Sequence, residues 1–288
     1  MGIFFAIFSA FLQTARDLVS KKVSFNVDAT VSAFACFAFA IPFYLILIPF
    51  LWVLGYEDFS ISSTFIYLVL IRSLIDSLAE WLRMHAYAEA DISVVNCFLA
   101  LTPLFVLITS PVITGDHISN QGYLAIFFIV LGSLLLVLQK GGRSIDLKGQ
   151  GRGILFSIAA AIVFAVNVCV DRLAVQEGSP VMAGFLMTAI AGSYFIPAIV
   201  RNRERVTAIK SNVKFFTLRG FFEIAFMVSK LTALQYLPSQ YVMGIQKSSV
   251  LFAVVGGRIF FDEPEFIKRL FCGTLILIGV AMIVLEYI

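Results

Sequence analysis

Apolar runs long enough to cross a lipid bilayer recur along almost the whole of this 288-residue chain, and that recurrence constrains the fold more than any other feature. A hydrocarbon core holds no water to satisfy backbone N–H and C=O groups, so each run is expected to be a helix. Ten are expected, at about residues 3–20, 29–54, 64–87, 91–113, 121–139, 153–173, 181–200, 214–236, 239–261 and 267–287. Composition agrees: 14% of the residues are charged, against about 25% in a soluble domain, and mean hydropathy is +0.96. The expected fold class is an all-α integral membrane protein with ten transmembrane helices. The opening MGIFFAIFSAFLQTAR lacks a basic leader and a small-residue cleavage site, so it is expected to be a retained first span.

The longest polar connection, QKGGRSIDLKGQGRG (139–153), follows the fifth run. It divides the chain into a first five-helix unit (1–139), a linking loop (140–152) and a second five-helix unit (153–288). The units echo one another. A shift of 151 residues sets Gly2 on Gly153, Arg16 on Asn167 and Lys21 on Arg172. A shift of 147 sets Arg72 on Arg219, Asp76 on Glu223, Arg83 on Lys230, Phe105 on Phe252, Asp116 on Glu263 and Gly132 on Gly279. Shared offsets of this kind indicate duplication. Five helices is an odd number, so the second copy enters the membrane from the opposite side, giving two inverted five-helix repeats with a site near the midplane between them.

The connections after runs 1, 5, 7 and 9 are rich in Lys and Arg, whereas those after runs 2, 4, 6 and 8 contribute only Arg172. The positive-inside rule then places the rich set in the cytoplasm and both termini outside.

Within run 3 the stretch RSLIDSLAEWLR sets Arg72, Asp76, Glu80 and Arg83 on one helical face. An ionised side chain facing lipid at mid-span costs at least ~3 kcal/mol, so Asp76 is expected to face a partner or a wet cavity. One reading is that Arg72 and Asp76 neutralise each other at i,i+4 and lock helices together. The other is a polar cavity wall, completed by RGFFEIAFMVSK (219–230) in run 8. The substrate-binding candidates are Asp76, Glu80, Arg83, Asn96, Asn167, Arg219, Glu223, Lys230 and Lys247. Mixed signs favour a zwitterion or polar solute over a bare cation. Glu80 and Glu223 are the proton-coupling candidates, Glu80 first because its repeat counterpart is Met227.

Other residues are expected to serve structure. Arg16 and Asp17 are adjacent and cannot share a helical face, so a solvated end or a salt bridge is expected there. Gln246 faces about 100° away from Lys247 on an ideal helix and need not share its cavity. Trp81, Tyr236 and Tyr241 are expected at the membrane interface. Four cysteines in separate apolar segments and two isolated histidines suggest neither a disulfide framework nor a metal site. No HExxH, GxSxG or phosphate-binding loop is present, and the dispersed net charge of +3 argues against nucleic acid. No cofactor is expected; the partners are a small polar metabolite and the bilayer, with the chain a monomer or homodimer.

The segments YVMGIQKSSVLFAVVGGRIFFDEPEFIKRLFCGTLILIGVAMIV (241–284) and VVNCFLALTPLFVLITSPVITGDHISNQGYLAIFFIVLGSLLLVL (94–138) resemble the drug/metabolite transporter superfamily, specifically its EamA type. The resemblance rests on the acidic residue before the last span of each half (Asp116, Glu263) and the following Gly132 and Gly279. It implies a transporter in the plasma (inner) membrane with both termini cytoplasmic, opposite to the charge count. A weaker similarity to nucleotide-sugar and triose-phosphate carriers rests on Lys247, which lies three residues after Gly244 where those carriers have Gly-Ala-Leu-Asn-Lys. That similarity implies contact between Lys247 and an anionic substrate. The expected function is secondary-active or facilitative transport by alternating access. The alternatives are a nucleotide-sugar or sugar-phosphate exchanger, an intramembrane enzyme acting on a lipid-linked substrate, and a subunit or lipid-handling scaffold without its own solute path.

Overall fold

A computed structural model describes residues 1–24, 29–55, 61–90, 92–139, 151–249, 251–252, 255 and 266–286. Among these the protein is helical throughout, with no strand. In chain order the helices are α1 (Gly2–Ser24), α2 (Ala29–Ala38), α3 (Ile41–Val53), α4 (Ser63–Glu89), α5 (Ile92–Leu99), α6 (Thr102–Ile113), α7 (Asn120–Gln139), α8 (Gly151–Glu177), α9 (Pro180–Ser193), α10 (Ile196–Val200), α11 (Arg203–Ser211), α12 (Val213–Tyr236), α13 (Ser239–Gln246) and α14 (Phe266–Glu286).

Four runs expected as continuous helices are interrupted. Run 2 breaks between α2 and α3, run 4 between α5 and α6, run 7 between α9 and α10, and run 9 after α13, where Lys247 and Ser248 form a turn. Three breaks have a proline in the first turn of the helix that follows: Pro42, Pro103 and Pro197. A proline donates no backbone N–H and its ring collides with the carbonyl four residues back, so it suits a helix start and disrupts an interior. Runs 2 and 7, like runs 4 and 9, are repeat mates, so the interruptions follow the duplication.

Packing follows it as well. Helix α4 lies against α8, α1 against α12, and α7 against α14. A Cβ on Gly153 would lie 2.3 Å from Ala90 Cβ and 2.9 Å from Glu89 C; one on Gly2 would lie 2.8 Å from both Leu237 Cγ and Tyr236 Cβ. Adding 147 to 89 and 90 gives 236 and 237, so each glycine seats its helix on the equivalent end of the other half. Likewise a Cβ on Gly132 would lie 2.8 Å from Ile276 Cγ1, and one on Gly279 would lie 2.6 Å from Ile129 Cγ1. Side chains at these positions would force backbones apart, and their reciprocity is the mark of two halves related by a pseudo-twofold axis.

The core between the halves is apolar, built from Tyr241, Ile129, Ile276, Leu231, Leu234 and Met187 among others. The perimeter is apolar too: Phe4, Ile46, Phe50, Val112, Leu155 and Leu285 are exposed. A soluble monomer rarely leaves so much apolar surface uncovered. Two segments are long and apolar enough to cross a membrane on length and composition alone, Phe34–Val53 and Gly151–Glu177. Helices α4 and α12 carry charged stripes that lower their hydropathy, and those stripes face inward.

Two boundaries and burials differ from expectation. Helix α8 continues to Glu177, four residues past the expected end at 173, or about 6 Å of helix. Arg172 is therefore not a connection residue but a buried one. Tyr241, expected at the interface, is 1% exposed, and its hydroxyl donates to Glu286 at 2.8 Å. Tyr236 and Trp81 are exposed as expected.

Candidate functional site

A cavity of about 720 Å³ lies between the halves. It is lined from α1, α2, α4, α8, α9, α12, the α5–α6 break and the end of α13. Of the nine sequence candidates, Asp76, Glu80, Arg83, Asn167, Arg219, Glu223, Lys230 and Lys247 all border it. The ninth, Asn96, has a side chain outside the described residues. Arg16 and Gln246, which were not among the sequence candidates, line it too.

The floor is a closed charge network. Arg72 donates from Nε to Asp171 Oδ1 at 2.7 Å and from Nη1 to Asp76 Oδ2 at 2.9 Å. Lys230 Nζ donates to Asp171 Oδ2 at 2.6 Å, and Asn167 Nδ2 donates to Asp76 Oδ1 at 2.8 Å. The i,i+4 pairing of Arg72 with Asp76 is thus present, but it is one edge of a five-residue cluster joining α4, α8 and α12. Asp171 is the centre of that cluster, is 0% exposed, and was not among the sequence candidates. Its signal was a lone acid near the end of run 6, which the short expected boundary placed close to water.

Above the floor, Glu80 pairs with Arg83 three residues on. Across from them Arg16 Nη1 meets both oxygens of Glu223 at 3.3 Å. Arg16 also sits 4.7 Å over the Phe226 ring, and Cys36 Sγ donates to Glu223 Oε2 at 2.7 Å. Arg16 therefore makes a salt bridge, but inside the cavity rather than at a solvated end. The contact obeys the repeat: Arg16 and Glu223 stand to each other as Asn167 and Asp76 do. Gln246 reaches the cavity because the helix ends there, and its Nε2 donates to Ser9 Oγ at 3.1 Å.

Polar groups of the lining without a partner among the described residues include Lys247 and Asn167 Oδ1. Lys247 makes neither a hydrogen bond nor an ion pair there; it is borne on the turn that ends α13. Asn167 Oδ1 is buried with no donor, its amide nitrogen being committed to Asp76. Buried polar groups are ordinarily satisfied, so both are suited to a bound solute.

Side-chain exposure rises along the α4 stripe, from 5% at Arg72 and 11% at Asp76 to 16% at Glu80 and 32% at Arg83. The cavity therefore opens toward the end of the bundle where α1 and α4 finish and α8 and α12 begin. The opposite end is laced shut. Arg172 binds Asp116 Oδ1 at 2.9 Å and donates to the carbonyls of Leu234 (2.6 Å) and Leu237. Gln240 donates to Asp116 O at 3.1 Å and Gln235 to Val175 O at 3.2 Å. Among the described residues no group of three or more His, Cys, Asp or Glu side chains is placed to hold a metal ion.

Among the solved structures that match, one crystal structure is similar in fold, with a TM-score of 0.65 over 98% of this chain and 97% of that one. At 15% identity the likeness speaks for the fold alone. No curated protein matches the chain. The profile of the EamA-like transporter family matches residues 1–138 and again residues 151–285, nearly the whole sequence in two copies, and members of that family are integral membrane transporters; this chain belongs to the EamA-like transporter family.

Proposed function

We propose that the protein carries a small polar metabolite across the plasma (inner) membrane by alternating access, as a secondary-active or facilitative transporter. Ten membrane spans make up the path, runs 2, 4 and 7 each crossing as two half-helices, in units 1–139 and 153–288 joined by the loop 140–152. The observation that carries this reading is the cavity between the halves, open at one end, laced shut by Arg172 and Asp116 at the other, and holding Lys247 and Asn167 Oδ1 without partners among the described residues. Rocking of the two pseudo-symmetric halves would exchange which end is closed. The volume suits a metabolite rather than a lipid-linked substrate, which favours transport over the enzymatic alternative.

The solute is taken to rest among Asp76, Glu80, Arg83, Asn167, Arg219, Glu223, Lys230 and Lys247. Glu80 and Glu223 are the groups proposed to exchange a proton as their arginine partners let go. The test is uptake into sealed proteoliposomes by the wild-type chain and by Glu80→Gln, Glu223→Gln and Lys247→Ala. Each is expected to abolish uptake while the purified protein still folds. Full uptake by all three would remove this site.

A further inference from the structure

We propose that α11 docks on the headgroups of anionic phospholipids, and that this contact braces the α2 wall at the mouth of the cavity. The stretch RNRERVTAIKSNVK (201–214) carries five bases, Arg201, Arg203, Arg205, Lys210 and Lys214, against one acid, Glu204. Its helix has nine residues, about 13 Å of rise against a hydrocarbon core of about 30 Å, so α11 cannot cross a bilayer. It joins α10 to α12 at the end of the bundle where the cavity opens. Val206 and Ile209 rest on Val31, Ala35, Ile199 and Phe216, and Arg205 ties the helix back to Ala198 O at 2.9 Å. Arg201, Arg203, Lys210 and Lys214 are exposed, and none of the four is in an ion pair among the described residues.

Two observations point to lipid as the occupant. The bases stand beside exposed apolar side chains on the flanking helices, Val200, Val213 and Leu218. Phosphate and acyl chain would therefore be met side by side, as they are at headgroup level. Secondly, the other half has no such strip. The shift of 147 residues sets 201–214 on LGYEDFSISSTFIY (54–67), which has two acids and no base. The fold common to both halves does not require the bases; they mark one end only. The contact also reaches the cavity. Val31 and Ala35 belong to α2, which presents Cys36 and Phe37 to the lining, and Cys36 donates to Glu223. A lipid that seats α11 thus seats one wall of the mouth, whatever solute the cavity carries.

Native mass spectrometry of the full chain in a neutral detergent tests the docking, by titration with phosphatidylglycerol and with phosphatidylcholine. Each base near an anionic surface contributes roughly fivefold in affinity, so changing Arg201, Arg203, Lys210 and Lys214 together to Gln should weaken phosphatidylglycerol binding at least about tenfold and leave phosphatidylcholine unmoved. Arg201→Lys with Arg203→Lys keeps the charge and should keep the preference. Changing Lys140, Arg143, Lys148 and Arg152 to Gln removes as much charge from the linking loop and should have little effect. Undiminished binding by the first variant, or an equal loss in the loop variant, overturns α11 as the site. Displacement of phosphatidylglycerol by inorganic phosphate would make the strip a site for free phosphate and overturn the lipid assignment.

The brace is read at Cys36, with Cys97, Cys169 and Cys272 changed to Ala. In liposomes of phosphatidylcholine containing phosphatidylglycerol, N-ethylmaleimide should label Cys36 several times more slowly than in phosphatidylcholine alone. The four changes to Gln on and beside α11 should abolish that difference. Equal rates in the two membranes for the otherwise unaltered chain would remove the brace on α2.

Discussion

Neutralising Asp171 is the sharpest structural test of the charge network. Asp171→Asn keeps the shape of the side chain but removes the anion shared by Arg72 and Lys230, at 2.7 and 2.6 Å and with no exposure. Arg72 would retain Asp76, whereas Lys230 would be left a buried cation without a partner in the cluster. Breaking a buried pair from one side costs about 3–5 kcal/mol, most of it the uncompensated charge left behind. For a chain of this size such a loss corresponds to a melting temperature lower by roughly 10 °C.

The double variant Asp171→Asn, Lys230→Gln restores balance, since Arg72 and Asp76 remain as one pair. It should therefore recover most of the loss, because removing both partners of a buried pair is far cheaper than removing one. The assay is thermal unfolding of purified protein in one detergent, followed by tryptophan emission, with aggregation measured in parallel. A single variant melting within about 2 °C of wild type, or a double variant no more stable than the single, would refute the argument that charge compensation holds this floor together.

Three further outcomes follow from the same geometry. Asp116→Ala removes the anion that Arg172 grips at the closed end, so Cys169, buried nearby on α8, should react with N-ethylmaleimide several times faster than in wild type; an unchanged rate would mean that the Arg172–Asp116 contact does not close that end. Gly220→Ala places a Cβ 2.3 Å from Phe39 O, a backbone atom at the α2–α3 break, so it should destabilise by about 1–3 kcal/mol; Gly151→Ala, with nothing within 4 Å, is its control, and equal melting temperatures would contradict the packing. If Glu80 or Glu223 carries a proton in each cycle, an imposed pH gradient should change the initial rate of uptake, and equal rates with and without the gradient would sink proton coupling.

Most of the fold and much of the cavity were legible in the sequence because both are periodic. Charges at helical spacing name a face, and the shift of 147 residues names its mate, so α4 and α12 could be paired without coordinates. What escaped was local or distant. The four helix interruptions escaped because hydropathy averages over a window and is blind to a single proline such as Pro42 or Pro197; the one after Gln246 has no proline at all. Asp171 escaped for two reasons. Its partners lie 99 and 59 residues away, and under the 151-residue shift it falls on Ser20, so the repeat offered no matching acid. Gln246 was not among the candidates because it faces about 100° away from Lys247 on an ideal helix, yet at the end of α13 both line the cavity.

The account stands or falls on movement of solute through the cavity, and one measurement reaches that claim before the substrate is known. Sealed proteoliposomes and empty liposomes are incubated with the same soluble metabolite extract, washed, and their contents compared by mass spectrometry. The expected result is enrichment of a narrow class of small polar metabolites in the protein-containing vesicles alone, lost when Lys247→Ala replaces wild type. Identical contents in protein-containing and empty vesicles, or undiminished enrichment by Lys247→Ala, would contradict transport through this site.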